Sequence, residues 1–253
     1  MQYTRLFAAL ALLGVTFASA DERPDPDSLA AQDFVIGKII LKKSDVFDLS
    51  NPKENNWLYR AANRLHIDTR DQVILDQLLF KPGEPFEARL LEESERILRQ
   101  NKYLYDADIS IERAANGEVD LRVATRDVWS LAPELSVSRS GGETRTRIGL
   151  EENNLLGRGQ TIRILRDEDD DRRESIFEFS DRNIGHSRVA VLARLADNSD
   201  GDASLLSIVR PFYALDARWA AGGSAWLDDR RSKVYQFGDP AAEYRHERDY
   251  GQV

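Results

Sequence analysis

Residues 144–166 constrain the fold of this chain more than any other stretch, because they have the pattern of two strands joined by a turn. Ile148 and Leu150 alternate with charged residues, which gives one apolar and one charged face. The turn, 153–159, is rich in Asn and Gly, which tolerate positive φ, and the alternation resumes at Ile162. A strand pair of this kind occurs in soluble sheets as well as in membranes.

Repetition of this unit favours a membrane barrel. Two further turns follow, at 183–187 and 211–216, and polar acidic stretches lie between them at 167–174 and 197–202. We interpret these as short turns on one side and long loops on the other, joined by strands of about ten residues. That long–short asymmetry is typical of a transmembrane β-barrel meander and unusual in a soluble β-sandwich.

The N-terminus predicts export. Arg5 precedes an apolar run of twelve residues, 6–17, and small residues at 18–20 precede a polar position. Twelve residues are too few to cross a bilayer as a helix, so residues 1–20 are predicted to be a secretory signal peptide. Residues 21–33, with two prolines and five acidic side chains, are predicted to be a flexible linker.

Composition and motif searches give no reason to expect an enzyme or a cofactor. The chain has no cysteine, and His66, His186 and His246 lie far apart in sequence, so no metal site is predicted. The acidic run 167–171 lacks the Gly and terminal Glu of an EF-hand, and no nucleophile-elbow motif occurs. A net charge of −9 without a basic stripe argues against nucleic acid as a partner.

Residues 34–129 predict a small α+β domain. An apolar strand at 34–42 is followed by helical patterns, the first of which places Trp57, Leu58, Ala61, Ala62 and Leu65 on one face. Two alternating strands then flank an Asn-Gly turn at 116–117, a strong hairpin signal. The predicted order is β-α-α-β-β, with helices covering one face of a three-stranded sheet.

The joined order of these pieces resembles a known family, the POTRA-containing outer-membrane surface-antigen proteins related to the barrel assembly machinery (BamA/TamA-like). Five segments carry the resemblance: NRLHIDTRDQVILDQLLFKPGEPF (63–86), LEESERILRQNKYLYDADI (91–109), VATRDVWSL (123–131), GLEENNLLGRGQ (149–160) and RPFYALDARWAAG (210–222). The resemblance implies a periplasmic POTRA domain at 34–129, followed at 130–253 by the N-terminal part of an outer-membrane β-barrel.

The barrel portion is predicted to be incomplete. In its first strand, 131–140, Leu135 and Val137 are expected to face lipid, while Glu134, Ser136 and Ser138 face inward. Seven strands are predicted up to Leu227, followed by a polar tail, 228–253. An odd count without a closing strand predicts a barrel truncated within its sheet.

The resemblance implies a component of protein assembly or translocation at the outer membrane, with the POTRA domain in the periplasm. The strand after the last helix is expected to lie at an open sheet edge and to bind extended clients by strand addition. The candidate edge residues are Tyr103, Tyr105, Asp108, Ser110 and Glu112. Expected partners are unfolded outer-membrane or secreted proteins, outer-membrane lipid, and periplasmic or lipoprotein accessory subunits. The alternatives are a passive pore with a periplasmic plug or anchor, and a soluble periplasmic binding module.

Overall fold

A three-stranded sheet with helices forms the first part of the computed structural model, which describes residues 26–30, 32–237 and 239–253. The sheet order is β1-β3-β2; β1 runs parallel to β3, and β2 runs antiparallel to it. The elements are α1 (Pro26–Ala30), β1 (Val35–Ser44), α2 (Trp57–Leu65), α3 (Asp71–Leu75), α4 (Ala88–Arg99), β2 (Leu104–Ala115) and β3 (Glu118–Asp127). The predicted strands and helices are therefore present, with three helices between β1 and β2.

The core of this domain lies between the sheet and α4. Strand alternation places every second side chain of β3 on the same face, and the apolar ones are fully buried. α4 contributes Leu91 and Leu98 to this core. The remaining buried positions include Ile74, Phe80, Phe86, Ala107, Ile109, Val119, Leu121 and Val123.

Two segments differ from the sequence expectation. Part of the predicted linker forms α1, whose Leu29 is buried in the core. The apolar stripe of α2 is not packed inward, since no residue of that helix is buried and Trp57 is 74% exposed. The predicted signal peptide, 1–20, lies outside the described residues.

The second part of the chain is an eight-stranded antiparallel meander, in which every strand pairs with the next in sequence. The sheet is open in the described part of the chain, with the first and last strands at its two edges. Its strands are β4 (Leu131–Ser140), β5 (Glu143–Glu152), β6 (Thr161–Glu168), β7 (Arg173–Asp181), β8 (Ala190–Asn198), β9 (Gly201–Arg210), β10 (Ala221–Gln236) and β11 (Asp239–Gln252). The predicted fold class, a POTRA-type domain followed by the strands of an incomplete antiparallel barrel, is confirmed.

The two faces of this sheet differ in chemistry. On one face Arg147 and Arg163 reach Glu134 at 3.5 and 2.7 Å, and Arg145 and Asp167 approach to 2.6 Å. On the opposite face lie exposed apolar side chains, as predicted for lipid-facing positions: Leu135, Val137, Ile148, Leu150, Ile164, Phe177, Leu195, Leu206, Ile208 and Leu227.

The connections between strands do alternate between long and short, but the prediction of which ones are long is wrong. The acidic stretches are mostly strand ends, so β6 and β7 are joined by residues 169–172 and β8 and β9 by residues 199–200. The turns predicted to be tight are the longer connections, spanning 153–160, 182–189 and 211–220. The acidic residues extend the strands because arginines on neighbouring strands pair with them, as Arg145 and Arg147 do with Asp167.

The prediction that residues 228–253 form a polar tail after the last strand is also wrong. Its residues complete β10 and form β11, which pair with each other from Ser224–Gln252 to Gln236–Asp239. Charged side chains occupy many positions of these two strands, so the apolar–polar alternation of a strand was not recognised in the sequence. Across the described residues, no helix is long and apolar enough to cross a membrane.

Candidate functional site

The predicted client-binding strand, β2, lies at an edge of the three-stranded sheet. The opposite edge, β1, is covered along its first residues by the segment before α4. Ile36 N–H donates to the Glu84 carbonyl at 2.9 Å, and Phe86 N–H donates to the Phe34 carbonyl at 2.8 Å. An unpaired strand edge offers main-chain donors and acceptors to an extended segment.

Four of the five candidate residues lie on this strand, and one does not. Tyr105, Asp108 and Glu112 are exposed, and Ser110 is half-buried beneath Arg122. Tyr103 precedes β2 and is buried, and its hydroxyl accepts a hydrogen bond from Gln77 Nε2 at 2.7 Å. Burial raises the pKa of Tyr103 to about 12. Tyr103 is therefore a packing residue and not part of the exposed edge.

The structure shows which main-chain groups of β2 face outward. Ile109 N–H donates to the Glu95 carboxylate of α4 at 2.6 Å, and Ala107 N–H donates to Asp106 Oδ1 at 2.8 Å. Because N–H directions alternate along a strand, Asp108 and Ser110 point their N–H groups at β3. A proline at either of those two positions would therefore remove a bond within the sheet rather than a client-facing donor.

Side chains of the domain itself cap this edge. Glu95 pairs with Arg99 at 3.2 Å, and Arg99 reaches Asp106 at 3.0 Å. The same two carboxylates accept the outward N–H groups of Ile109 and Ala107. The edge is consequently occupied by side-chain acceptors that an incoming strand would have to displace.

The three long connections of the meander all contact the helical domain. From the first, Asn154 Nδ2 donates to Thr69 Oγ1 at 2.9 Å, while Arg70 N–H donates to the Gly157 carbonyl at 2.9 Å. From the second, the Arg188 guanidinium donates to the Leu78 carbonyl at 2.8 Å. The helical domain therefore sits at the end of the sheet where these connections lie.

The third connection reaches α4. Asp216 pairs with Arg89 at 2.7 Å, and Leu215 N–H donates to the buried Glu93 carboxylate at 2.6 Å. Contacts from three separate connections fix the position of the domain more firmly than one linker between β3 and β4 would.

A buried polar network lies at the centre of this junction. Asp127 Oδ2 accepts hydrogen bonds from Thr69 N–H at 2.7 Å, the Thr69 hydroxyl at 3.0 Å and His66 Nε2 at 2.9 Å. The hydrogen bond to Asp127 raises the pKa of His66, against an opposing effect of burial. Sequence reasoning missed this network. The signal was available, because the buried alternation of β3 continues from Val123 through Thr125 to Asp127.

His66, Asp68 and Asp127 place possible ligand atoms within 4.8 Å of one another, although sequence spacing predicted no metal site. His66 Nε2 and Asp127 Oδ2 are already hydrogen-bonded to each other, and the same oxygen also accepts from Thr69. Asp127 Oδ1 is buried without a hydrogen-bond partner among the described residues, but the hydrogen bonds of Oδ2 already account for the proximity of His66 and Asp127. We interpret the group as a hydrogen-bonded structural network.

Gly157→Ala should weaken the junction. Gly157 has φ +73°, and an added Cβ would lie 2.3 Å from the Asp68 carbonyl oxygen. Gly185, with φ +59° and nothing within 4 Å, is the matched control, because alanine there brings only the left-handed strain of about 1–2 kcal/mol. We expect Gly157→Ala to cost about 1–2 kcal/mol more, from the two hydrogen bonds between Arg70 and this turn. Equal decreases in the free energy of unfolding of the two full-chain variants, measured in urea, would contradict this.

The helical domain with its edge strand β2, joined to an eight-stranded antiparallel meander, has a POTRA-and-barrel architecture. The POTRA family model, described as a surface antigen variable number repeat, matches residues 66–126. This segment is a POTRA domain, and the resemblance inferred from the sequence is confirmed in that respect. No curated protein matches the sequence.

Solved structures share the fold of both parts. BamA from Haemophilus ducreyi lacking POTRA domains 1–3 has a TM-score of 0.50 at 9% identity, covering 85% of this chain and 42% of that one. CdiB from Acinetobacter baumannii has a TM-score of 0.54 at 13% identity, covering 79% of this chain and 38% of that one. Identities this low establish the fold alone. The chain spans about two fifths of the length of either structure.

Proposed function

We propose that this protein assists the assembly or translocation of other proteins at the outer membrane, with its POTRA domain in the periplasm. The POTRA domain would hold an extended client by strand addition to β2. The observation that carries the proposal is the outward Ile109 N–H, which is capped only by a side chain and not by another strand. Main-chain pairing demands little of the client's sequence, which suits a component that serves many unfolded clients.

The two faces of the meander support the membrane setting. One face of the sheet carries exposed apolar side chains, and the opposite face carries paired charges. This is the arrangement expected for lipid on one side and an aqueous lumen on the other. Within the described residues, the POTRA domain contacts one end of the sheet, so that end is the periplasmic one under this proposal. Clients bound at β2 would then be held next to the strands that cross the membrane.

Glu95→Ala should increase client binding. Glu95 must leave Ile109 N–H before a client carbonyl can accept that hydrogen bond. Hydrogen bonds to charged groups contribute about 1.5–3 kcal/mol, so removing the competitor should raise affinity about tenfold. The probe is a peptide with the sequence of residues 173–181, an authentic barrel strand, carrying a photo-crosslinker in place of Phe177. Crosslinking to the full chain is measured against peptide concentration.

Glu92→Ala is the matched control, because Glu92 is exposed on the same helix. Crosslinks should map to β2 and should not increase in this control. Equal crosslinking by Glu95→Ala, Glu92→Ala and the unchanged chain would remove strand addition at this edge. The passive pore with a periplasmic anchor would then be favoured, since it requires no client at β2. Recovery of the mature chain only in the soluble fraction would instead favour the periplasmic binding module.

A further inference from the structure

The exposed apolar face of α2 has no protein partner in the described part of the chain. At about 100° per residue, Trp57, Ala61, Leu65, Leu58 and Ala62 fall within an arc of about 140°. Three of these side chains are strongly exposed: Trp57 at 74%, Leu58 at 55% and Leu65 at 72%. A contiguous apolar helix face of this kind marks a surface that is covered in use.

The opposite face of α2 holds the helix on the POTRA domain. Phe47 N–H donates to Asn63 Oδ1 at 3.0 Å, and Asn63 Nδ2 donates to the Phe47 carbonyl at 2.8 Å. The Tyr59 ring stacks on the Phe47 ring with centroids 4.1 Å apart. The helix is therefore anchored through Tyr59 and Asn63, and its apolar stripe is directed away from the domain.

The charges of α2 identify the kind of partner. Arg60 and Arg64 flank the Trp57 side of the stripe, and the helix contains no acidic residue. Arg60 donates to the Asn55 amide oxygen at 2.7 Å, and within the described residues neither arginine forms an ion pair with a carboxylate. The nearby carboxylate of Asp45 lies on the anchored side, 3.4 Å from Asn63. An apolar helix stripe flanked by arginines fits an anionic lipid surface, because α2 carries positive charge locally although the whole chain has a net charge of −9.

The position of α2 brings this face close to the membrane-spanning sheet. His66 follows the helix directly and is hydrogen-bonded to Asp127. Asp127 lies four residues before Leu131, where β4 begins, a separation of at most about 14 Å. Ile67, the residue after His66, is also apolar and 53% exposed. Because α2 lies this close to the start of β4, it can reach the headgroup region of the periplasmic leaflet.

We propose that α2 is an interfacial helix that lays Trp57, Leu58 and Leu65 onto the anionic phospholipid surface beside the barrel. This proposal rests on the proposed function insofar as it requires the meander to be inserted in the outer membrane. The helix would hold the POTRA domain, and with it the β2 edge, at a fixed orientation to the bilayer.

Spin labelling tests the proposal, because the chain has no cysteine and single labels are unambiguous. Nitroxides are placed singly at Leu58 and Leu65 of the full chain in nanodiscs containing phosphatidylglycerol. Leu135 serves as the lipid-facing reference and Asp108 as the aqueous reference. We expect the α2 labels to be relaxed more by oxygen than by a water-soluble nickel complex, like Leu135. Arg60→Glu with Arg64→Glu, or purely zwitterionic lipid, should shift them to the aqueous behaviour of Asp108.

The outcomes separate the two proposals. Aqueous α2 labels with a lipid-facing Leu135 label would overturn the interfacial helix and leave the proposed function intact. Aqueous behaviour at both sites would overturn both. Immobilised α2 labels that are shielded from both relaxation agents would indicate a protein partner or a second copy and would also overturn the lipid assignment.

Discussion

Asp127→Ala is expected to destabilise the POTRA domain by about 3–5 kcal/mol, the cost of breaking a buried ion pair by removing one partner. The side chains of His66 and Asp127 are only 3% and 4% exposed. Alanine at 127 leaves His66 without its carboxylate partner and removes the acceptor of both Thr69 donors. Urea unfolding of the full chain in detergent, followed by tryptophan fluorescence, measures the change in the free energy of unfolding.

Asp108→Ala is the matched control, since that carboxylate is exposed on the neighbouring strand. Surface changes of this kind are usually within about 0.5 kcal/mol. Because Thr69 also accepts from Asn154, the Asp127 variant should additionally loosen the first long connection. Similar losses in the two variants would show that the network at Asp127 contributes little to stability.

The contribution of the His66–Asp127 pair should depend on pH. The hydrogen bond to Asp127, aided by the charges of Asp68 and Glu152, raises the folded-state pKa of His66 above its ordinary value of 6.5. A raised pKa means that the stabilisation is fully present below about pH 6.5 and is lost as the pH rises through the folded-state value. A double-mutant cycle of His66→Gln and Asp127→Ala should therefore show stronger coupling at pH 5.5 than at pH 8.5. Coupling that does not change with pH would contradict a charged pair.

Local patterns were sufficient to predict the strands and helices of the α+β domain, which the family resemblance then identified as POTRA-like. The alternation of β3 places its apolar residues on one face, and that face is buried. Asn116 and Gly117 have φ of +56° and +79°, the left-handed conformation that makes Asn-Gly a hairpin signal. Strand alternation and turn type depend on residues that are adjacent in sequence, so they can be predicted without knowing the fold.

Pairing between distant strands was the part that local patterns could not predict. The acidic residues near 167 looked like a solvated loop, whereas Arg145 and Arg147, about 20 residues earlier, keep Asp167 in a strand. The family resemblance placed β2 at a sheet edge but did not identify the outward N–H groups, which were revealed by the contact between Ile109 and Glu95 on α4. The exposed stripe of α2 could not be told from a core-facing one, because amphipathicity does not identify what covers it.

With the meander in the bilayer, as the proposed function requires, Ile164→Arg is expected to destabilise the folded chain by about 2–4 kcal/mol, the cost of a basic residue facing lipid near the bilayer midplane. Ile164 lies on the apolar face, 58% exposed, between Leu150 on β5 and Phe177 on β7. Its cross-strand neighbours are apolar on both sides, so the new charge would have no local partner. Unfolding in lipid bilayers by denaturant measures the loss, with Ile164→Leu as the control for packing.

Ile148→Arg provides the graded comparison on the same face. Ile148 is equally exposed, but its neighbour on β6 is Arg166, which itself lies near Glu168. A charged residue therefore already lies beside Ile148 at the same height in the sheet. This indicates a position near the membrane–water interface, where a basic residue costs about 0–1 kcal/mol. Ile164→Arg should consequently be the more damaging change. Near-neutral results for both would mean that the apolar face meets water, because a soluble sheet tolerates arginine at exposed positions.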